Sequence, residues 1–487
     1  MFENRLKEFE PIFYPKSIAV IGASADGKSF GHKWVRALIS AGFEAPIYPI
    51  SYGGGTIAGL EISSALTSVP GEVDYVIASV SRQSVLGLLD DCIGKKVKAI
   101  QFFTAGFSEI GTRQGWELEE QMVAKARQGG IRIIGPNCIG IYCPEHRIPL
   151  GPSPLGKVGI GGSVGFVSQS GGVAAKLVEV GIARSINYSK GVSFGNGIDL
   201  DASDFLQYLT ADTKTTVIGA YLEGTRDGRR FFDTVKEVTK VKPLVIWKGG
   251  RTEVGAQAAM SHTGSLASSA GVWSAMLKQV GAIEVHSLEE LSDALLMFQH
   301  LGDWRGSNVA IVGGLADGGG GISVSASDIC TEAGLNVPPL SGRTRDELTK
   351  LLGDVGGIFR NPIDVSQAQS RDPSALSRAV QLILEDPIVE LVLVQEDVDV
   401  LLSYSSLKEF ERINDFFIEI RGRQSKPLLI VLPPGSSEPE RLDLERRLSK
   451  ASIAVFPTME WAAKAIVAIN SWSGFKGGAE SSRQPLQ

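Results

Sequence analysis

The chain has 487 residues, 57 of them glycine, with a hydrophobic share of 43% and a formal net charge of −6. Such a length exceeds one ordinary core and predicts roughly two to four domains. The acidic balance argues against a general nucleic-acid binder, which needs clustered Lys and Arg to displace counterions, and no apolar run reaches the roughly 18 residues of a membrane span.

The segment 1–8 carries acids and has no apolar stretch of the secretory type, so a cytoplasmic protein is expected. Cys92, Cys138, Cys143 and Cys330 form no CxxC pair and do not cluster with histidine. They read as core or loop thiols of a reducing compartment, and no metal site is expected from them.

Taken in order, short β-branched runs each open onto a glycine-rich turn and a helical pattern. The first opening is Ile18-Ala19-Val20-Ile21-Gly22-Ala23-Ser24, leading into a helix over 32–41, with further strands over 73–80, 99–104 and 132–134. A Pro/Gly cluster at 152–156 marks a seam. The second opening is Val164-Gly165-Phe166-Val167-Ser168-Gln169-Ser170-Gly171-Gly172, followed by a helix over 173–180, strands over 216–222 and 244–247 and a helix over 288–299. After a seam at 301–307 comes the third, Val309-Ala310-Ile311-Val312-Gly313-Gly314, then Gly318-Gly319-Gly320-Gly321 and a helix over 322–333. Strands over 389–395 and 428–432 and a helix over 461–470 complete it. The openings recur about 145 residues apart, one α/β domain each. Three doubly wound parallel-sheet domains are predicted over 10–150, 158–303 and 306–472, with a poorly ordered polar tail over 473–487. Ligands in such sheets bind beyond the carboxyl ends of the strands, where the glycine turns lie.

Gly22 to Ser29 fits the P-loop pattern GxxxxGK[ST], with Lys28 and Ser29 in its last places. Asp26 puts a negative charge where phosphate would lie, and neither 73–80 nor 99–104 ends in an aspartate that would hold Mg²⁺. A nucleotide, a plain chain turn, or another phosphate-bearing ligand such as coenzyme A all remain open at this loop. At Ser168-Gln169-Ser170-Gly171-Gly172, hydroxyls and successive amides at a helix N-terminus suit a tetrahedral oxyanion, with helix capping by Ser170 as the simpler reading. Lys248-Gly249-Gly250-Arg251 could lend positive charge nearby, or be solvated charge.

His262, in Ala259-Met260-Ser261-His262-Thr263-Gly264-Ser265, is one of five histidines and follows the small-residue stretch 255–259, which suggests a mobile loop. Neutral imidazole is a good nucleophile toward phosphorus if its other nitrogen donates to a fixed acceptor. Glu223, closing the strand 216–222, is the candidate acceptor. His32, His146, His286 and His300 lack such surroundings, and Asp199, Asp201 and Asp204 read as helix capping rather than a metal cluster.

With these residues assembled, the chain resembles the NDP-forming acyl-CoA synthetases, relatives of succinyl-CoA synthetase, in their α-type subunit. The likeness spans about residues 10 to 470 and rests on Gly135-Pro136-Asn137-Cys138-Ile139-Gly140, Ser168-Gln169-Ser170-Gly171, Ser193-Phe194-Gly195-Asn196, Tyr221-Leu222-Glu223-Gly224, Ser261-His262-Thr263-Gly264 and Asn361-Pro362-Ile363-Asp364. The resemblance implies a Rossmann-like CoA-binding domain followed by two flavodoxin-like ligase domains. Gly22, Ala23, Ser24, Lys28, Val80, Ser81, Thr104, Ala105, Gly106, Phe107 and Asn137 would line the CoA site. Ser168, Gln169, Ser170, Gly171 and Gly172 would hold phosphate, His262 would be phosphorylated and Glu223 would orient it. The implied reaction is carboxylic acid, CoA and NTP to acyl-CoA, NDP and phosphate through acyl phosphate, with no metal on this chain.

No segment reads as an ATP-grasp domain, so the resemblance implies a separate β subunit that carries ATP or ADP with Mg²⁺, in an α2β2 heterotetramer. Some positions depart from the family pattern: Ser51-Tyr52 and Ser81-Arg82 alter the expected CoA loops, and Gly313 to Gly321 is unusually glycine-rich. The acidic run Gln395-Glu396-Asp397-Val398-Asp399 would repel an anion, so the third domain is assigned no phosphate role. A non-catalytic CoA-binding or regulatory protein of the same fold is the alternative. A P-loop NTPase or nicotinamide-dependent dehydrogenase would leave the second domain's motifs unexplained. Neither the acid nor the choice of ATP over GTP is encoded in a motif.

Overall fold

The computed structural model describes residues 3–153, 158–263, 269–313, 320–353, 360–365, 374–404, 406–423 and 425–481; the side chains of 3, 260–263, 320, 404, 407, 409, 410 and 477–481 are outside that description. The chain divides into two compact units, one formed by Met1–Ile182 with Ile186–Leu295, the other by Ala183–Ser185 with Leu296–Gln487. The first unit holds two large sheets and the second holds one, so the α/β doubly wound architecture expected from the sequence is present.

In the first sheet the strands β1 (Ile18–Ile21), β2 (Ile47–Ile50), β5 (Tyr75–Ala78), β6 (Ala99–Phe102) and β7 (Arg132–Ile134) run parallel in the order β2-β1-β5-β6-β7. A short hairpin of β3 (Thr56–Ile57) and β4 (Leu60–Glu61) follows β2. Largely buried between helices, these strands are mostly apolar, which is why they read as short runs, with Gln101 in β6 and Arg132 at the start of β7 as polar exceptions. Gly22 has φ +86°, and a Cβ there would lie 2.1 Å from the Ser79 carbonyl oxygen. A Cβ on Gly31 would lie 2.4 Å from the Gly22 carbonyl, so the helix Phe30–Ser40 owes its close approach to β1 to that glycine.

The second sheet joins β8 (Gly140–Tyr142), β9 (Val164–Ser168), β10 (Tyr188–Ser193), β11 (Val217–Leu222), β12 (Leu244–Lys248) and β13 (Ile283–Val285) in the order β13-β12-β11-β9-β10-β8. All its pairs are parallel except β8, which runs antiparallel on β10 with Gly140 opposite Ser193. Residues expected to belong to the first domain therefore supply the edge strand of the second sheet.

His262 falls in a helix, Glu253–Thr263, rather than in the mobile loop that its small neighbours suggested. Ala256, Ala258 and Ala259 are the best helix formers. Thr252 starts the helix by accepting the Gly255 amide on its hydroxyl at 3.0 Å and the Ala256 amide on its carbonyl at 2.7 Å.

The second unit is built on β14 (Val309–Gly313), β15 (Ile363–Asp364), β16 (Leu391–Gln395), β17 (Leu428–Val431) and β18 (Ala454–Phe456), parallel in the order β15-β14-β16-β17-β18. Most of the glycine run after β14 lies outside the described residues. The last helix runs Met459–Ser481, so the poorly ordered tail expected from Ser473 is instead helical to Ser481, with 482–487 outside the described residues. Trp472 anchors it: its ring packs edge-on against Phe298 at 6.0 Å, and the Lys476 ammonium lies over it at 5.1 Å.

The four cysteines are all buried free thiols, and among the described residues no helix is long and apolar enough to cross a membrane. Asp201 caps the helix Ala202–Ala211 in a capping box with Asp204, as the sequence suggested, whereas Asp199 does not cap it but pairs with Arg132 at 2.9 Å.

Glu396 follows β16 wholly buried, and neither carboxyl oxygen has a hydrogen-bond partner. Burial pushes its carboxyl up to about 8 from the ordinary 4.5. Below pH 4.5 the group is neutral whether the chain is folded or not; from 4.5 through about 8 the unfolded chain ionises while the folded one keeps its proton. Stability of this unit therefore falls over that window by up to about 1.4 kcal/mol per pH unit and flattens above it. Glu396→Gln is expected to remove most of that slope in urea titrations at pH 5 to 8; an unchanged slope would contradict the burial argument.

Candidate active site

The carboxyl edges of the first two sheets meet around one cavity of about 490 Å³. Its wall is built by the turns that leave successive strands. Ser79 and Val80 follow β5, Phe103, Thr104 and Ala105 follow β6, and Asn137, Cys138 and Ile139 connect β7 to β8. Gln169, Gly171 and Gly172 follow β9, and Phe30 closes one side. Among the described residues no formally charged side chain lines it.

These turns are fixed by one another. Thr104 donates its hydroxyl to the Val80 carbonyl at 2.6 Å, the Asn137 amide donates to the Thr104 carbonyl at 2.9 Å, and Arg82 donates to the Gly106 carbonyl at 2.7 Å. Asn137 has φ +57°, a left-handed conformation that asparagine tolerates better than most residues. A Cβ on Gly171 would come within 3.2 Å of Ile139, so the amide-rich start of the helix Gly171–Arg184 rests directly on the segment that carries Asn137.

The residues expected at a CoA site divide. Val80, Thr104, Ala105 and Asn137 line the cavity. Gly22, Ala23, Ser24, Lys28, Ser81, Gly106 and Phe107 do not. The Gly22 and Ala23 amides both donate to the Ile50 carbonyl, at 2.9 and 3.1 Å, and the Ser24 amide donates to the Ser29 hydroxyl at 3.1 Å. Asp26 accepts from the Ser24 hydroxyl at 2.7 Å and the Lys28 amide at 3.0 Å, which holds its carboxyl below the usual range. The amides of Gly22, Ala23, Ser24 and Lys28 are thus spent within the fold, and Lys28 is exposed. Ser81 meets the Ser84 hydroxyl at 3.0 Å, and the Phe107 ring is wholly buried.

The phosphate set divides too. Ser168 is buried and donates to the Ser170 carbonyl at 2.7 Å, and Ser170 accepts the Val173 amide at 3.4 Å, the capping role. Gly171 and Gly172 present the helix N-terminus to the cavity. Gln169 does more than face the cavity: its side-chain carbonyl accepts both the Glu223 amide at 2.8 Å and the Gly224 amide at 3.1 Å, clamping the end of β11 to the end of β9.

Glu223 is 5% exposed and accepts the Tyr221 hydroxyl at 3.1 Å, which with burial raises the phenol well above its ordinary range. Lys248, read as lending positive charge nearby or as solvated charge, is neither exposed nor turned to solvent but buried beside Glu223. It donates to the Glu223 carbonyl at 2.8 Å and to the Gly249 carbonyl, lies over the Trp273 ring at 5.3 Å, and has its ammonium pKa lowered by desolvation. A Cβ on Gly249 would lie 2.5 Å from the Tyr221 hydroxyl, so this glycine makes room for that phenol. Tyr221, Lys248 and Gly249 are supporting residues that the sequence did not single out for this role. His262 is on the described helix, but its side chain lies outside the description.

His32 turns its ring onto the Ser24 carbonyl at 2.9 Å and His146 onto the Pro15 carbonyl at 3.0 Å. His300 is half-buried and pushed down to about 4 by desolvation. His286 donates its amide to Glu290 at 2.8 Å.

Two doubly wound sheets that share a glycine-walled cavity at their carboxyl edges define a class of CoA-handling α/β proteins, and comparison with known families agrees. Residues 16–144 match the family described as a CoA binding domain, and residues 161–298 match the succinyl-CoA ligase like flavodoxin domain. The chain is 34% identical over 475 residues to the acetate–CoA ligase (ADP-forming) I subunit alpha of Pyrococcus furiosus, covering 96% of this chain and 98% of that one. It is 33% identical to the corresponding II subunit alpha of the same organism, again over 96% and 98%. A solved dinucleotide-forming acetyl-coenzyme A synthetase 1 of Ca. Korarchaeum cryptofilum, in complex with phosphate and ADP, superposes with a TM-score of 0.85 at 31% identity, covering 98% and 99%. The chain belongs to the family of ADP-forming acetate–CoA ligase α subunits.

Gln169→Leu would leave two buried amides without an acceptor, at roughly 1–3 kcal/mol each. A urea midpoint lowered accordingly is expected; a wild-type midpoint would rule out the clamp.

Proposed function

We propose that this chain is the α subunit of an ADP-forming acyl-CoA synthetase that converts a small carboxylic acid, CoA and ATP reversibly to acyl-CoA, ADP and phosphate. The observation that carries the reading is the single cavity walled on one side by Val80, Thr104, Ala105 and Asn137 and on the other by Gly171 and Gly172. A thiol held by the first set and a phosphate held by the second lie within one enclosure. That is what attack of CoA on an acyl phosphate requires.

His262 takes a phosphoryl group from the nucleotide on one ring nitrogen, while Glu223 accepts the proton borne by the other and so fixes the tautomer. The carboxylate of the acid then attacks phosphorus, and the N–P bond of the phosphohistidine breaks. Amides at the start of the helix Gly171–Arg184 stabilise charge on the acyl phosphate. The CoA thiolate adds to its carbonyl carbon, and phosphate departs. Lys28, exposed on the first glycine turn, steers the CoA phosphates. Relatives of this length are named as α subunits for acetate, so acetate is the first acid to test. The reading includes domains over 10–150, 158–303 and 306–472, a cytoplasmic setting, and an ATP-grasp β subunit that binds ATP with Mg²⁺ in an α2β2 assembly.

With such a partner, ATP, CoA and a panel of acids, formation of acyl-CoA is the deciding assay, and its absence with every acid defeats the reading. His262→Ala is expected to abolish acid-labile phosphorylation of the chain while CoA affinity persists. Glu223→Gln is expected to slow that phosphorylation at least about tenfold, equivalent to about 1.4 kcal/mol of lost orientation. An unchanged rate in either variant would remove that residue from the mechanism.

A further inference from the structure

Beside the cavity, two carboxylates that the proposed reaction does not use converge on one amide group. Asn196, 4% exposed, donates its side-chain nitrogen to Glu109 at 2.7 Å and to Glu119 at 2.8 Å, and its own carbonyl oxygen is buried without a partner. Glu119 also accepts the Ser108 hydroxyl at 2.6 Å and Arg226 at 2.8 Å, and Arg226 donates in turn to the Asn196 backbone carbonyl at 3.1 Å. Burying such groups is costly, and an apolar filling of the same space would hold the loops more cheaply. The arrangement calls for a reason other than stability.

Its connections supply one. Glu109 accepts the amides of Gly106, and of Phe107 at 3.0 Å, which end the turn whose Thr104 and Ala105 line the cavity. Glu109 itself belongs to the short 3-10 turn Ser108–Ile110, and the helix Glu253–Thr263, which carries His262, packs against that turn. Asn196 also holds the β7–β8 connection through its backbone, donating its amide to the Pro136 carbonyl at 3.0 Å, one residue before Asn137. Arg226 stands three residues beyond Glu223 in sequence.

We infer that Glu109, held by Asn196, is a positioning residue that couples the two halves of the reaction: its carboxylate sets the cavity turn, and the 3-10 turn that bears it seats the histidine helix. Filling the thiol side of the cavity shifts or stiffens the Gly106 and Phe107 amides, the carboxylate follows them, and the seat of the helix follows the carboxylate. The inference rests on the proposed reading of the cavity and of His262. It adds that CoA binding is felt at the helix without touching it.

Hydrogen exchange on the full chain, with and without saturating CoA, tests this. In the wild type, CoA is expected to slow exchange at residues 104–107 and, together with it, at 253–263, by at least about threefold in each. In Glu109→Gln and in Asn196→Ala the effect at the cavity turn persists at the CoA concentration that saturates each variant, while the effect on the helix is lost. Protection confined to the cavity wall in the wild type overturns the inference, and that arm needs no variant to fold. Equal helix protection in either folded variant overturns it as well. Failure of the wild type to bind CoA at all defeats the proposed function instead, so the two failures are distinguishable.

Discussion

The connection between β7 and β8 is the constraint from which the rest of the first unit follows. Only residues 135–139 separate the last strand of one sheet from the edge strand of the next, and an extended chain covers at most about 3.3–3.6 Å per residue. The carboxyl edges of the two sheets are therefore held within about 20 Å of each other, whatever the packing between them. Asn137 and Ile139 lie on this bridge, against the start of the helix Gly171–Arg184. The wall that carries Val80, Thr104 and Asn137 and the wall that carries Gly171 and Gly172 share one cavity because the chain has no slack to let them part.

Within that frame the switch point of the second sheet is fixed by one side chain. Gln169 leaves β9 and accepts two amides at the end of β11, so Glu223 is held by its backbone before its carboxylate does anything. Tyr221 then restricts the carboxylate, and Lys248 secures the carbonyl from below. An orienting base needs this kind of support, since a carboxylate free to rotate would lose most of the advantage of its position.

Much of this was legible in the sequence because it depends on local chemistry. Parallel strands buried on both faces must be mostly apolar, and a turn that approaches another backbone must be glycine, so the openings at Gly22 and Gly171 stood out. Glu223 and Gly171 stood out as candidates because each follows a readable strand. What escaped reading depends on partners far away in the chain. Asn196 meets Glu109 and Glu119 across 87 and 77 residues, and nothing local to any of them announces the meeting. Lys248 read as a source of positive charge near the phosphate loop or as solvated charge, because charge after a strand commonly faces solvent; instead it is buried against Trp273 and the Glu223 carbonyl. The stretch before His262 was read as loose because its residues are small, although alanine is small and also the strongest helix former. The tail was misjudged on composition alone, when one tryptophan sufficed to anchor it.

The absence of formal charge from the described cavity wall has a consequence for how the protein meets its surroundings. Backbone dipoles and amides act over the first turn of a helix, well inside the distance at which dissolved ions shield one charge from another, about 8 Å at physiological ionic strength. On the proposed reading, anion recognition at Gly171 and Gly172 would accordingly be a short-range matter, little affected by the salt of the medium. Attraction at a distance is left to exposed groups such as Lys28, so ionic strength governs how fast a ligand arrives rather than how firmly its reacting end is held.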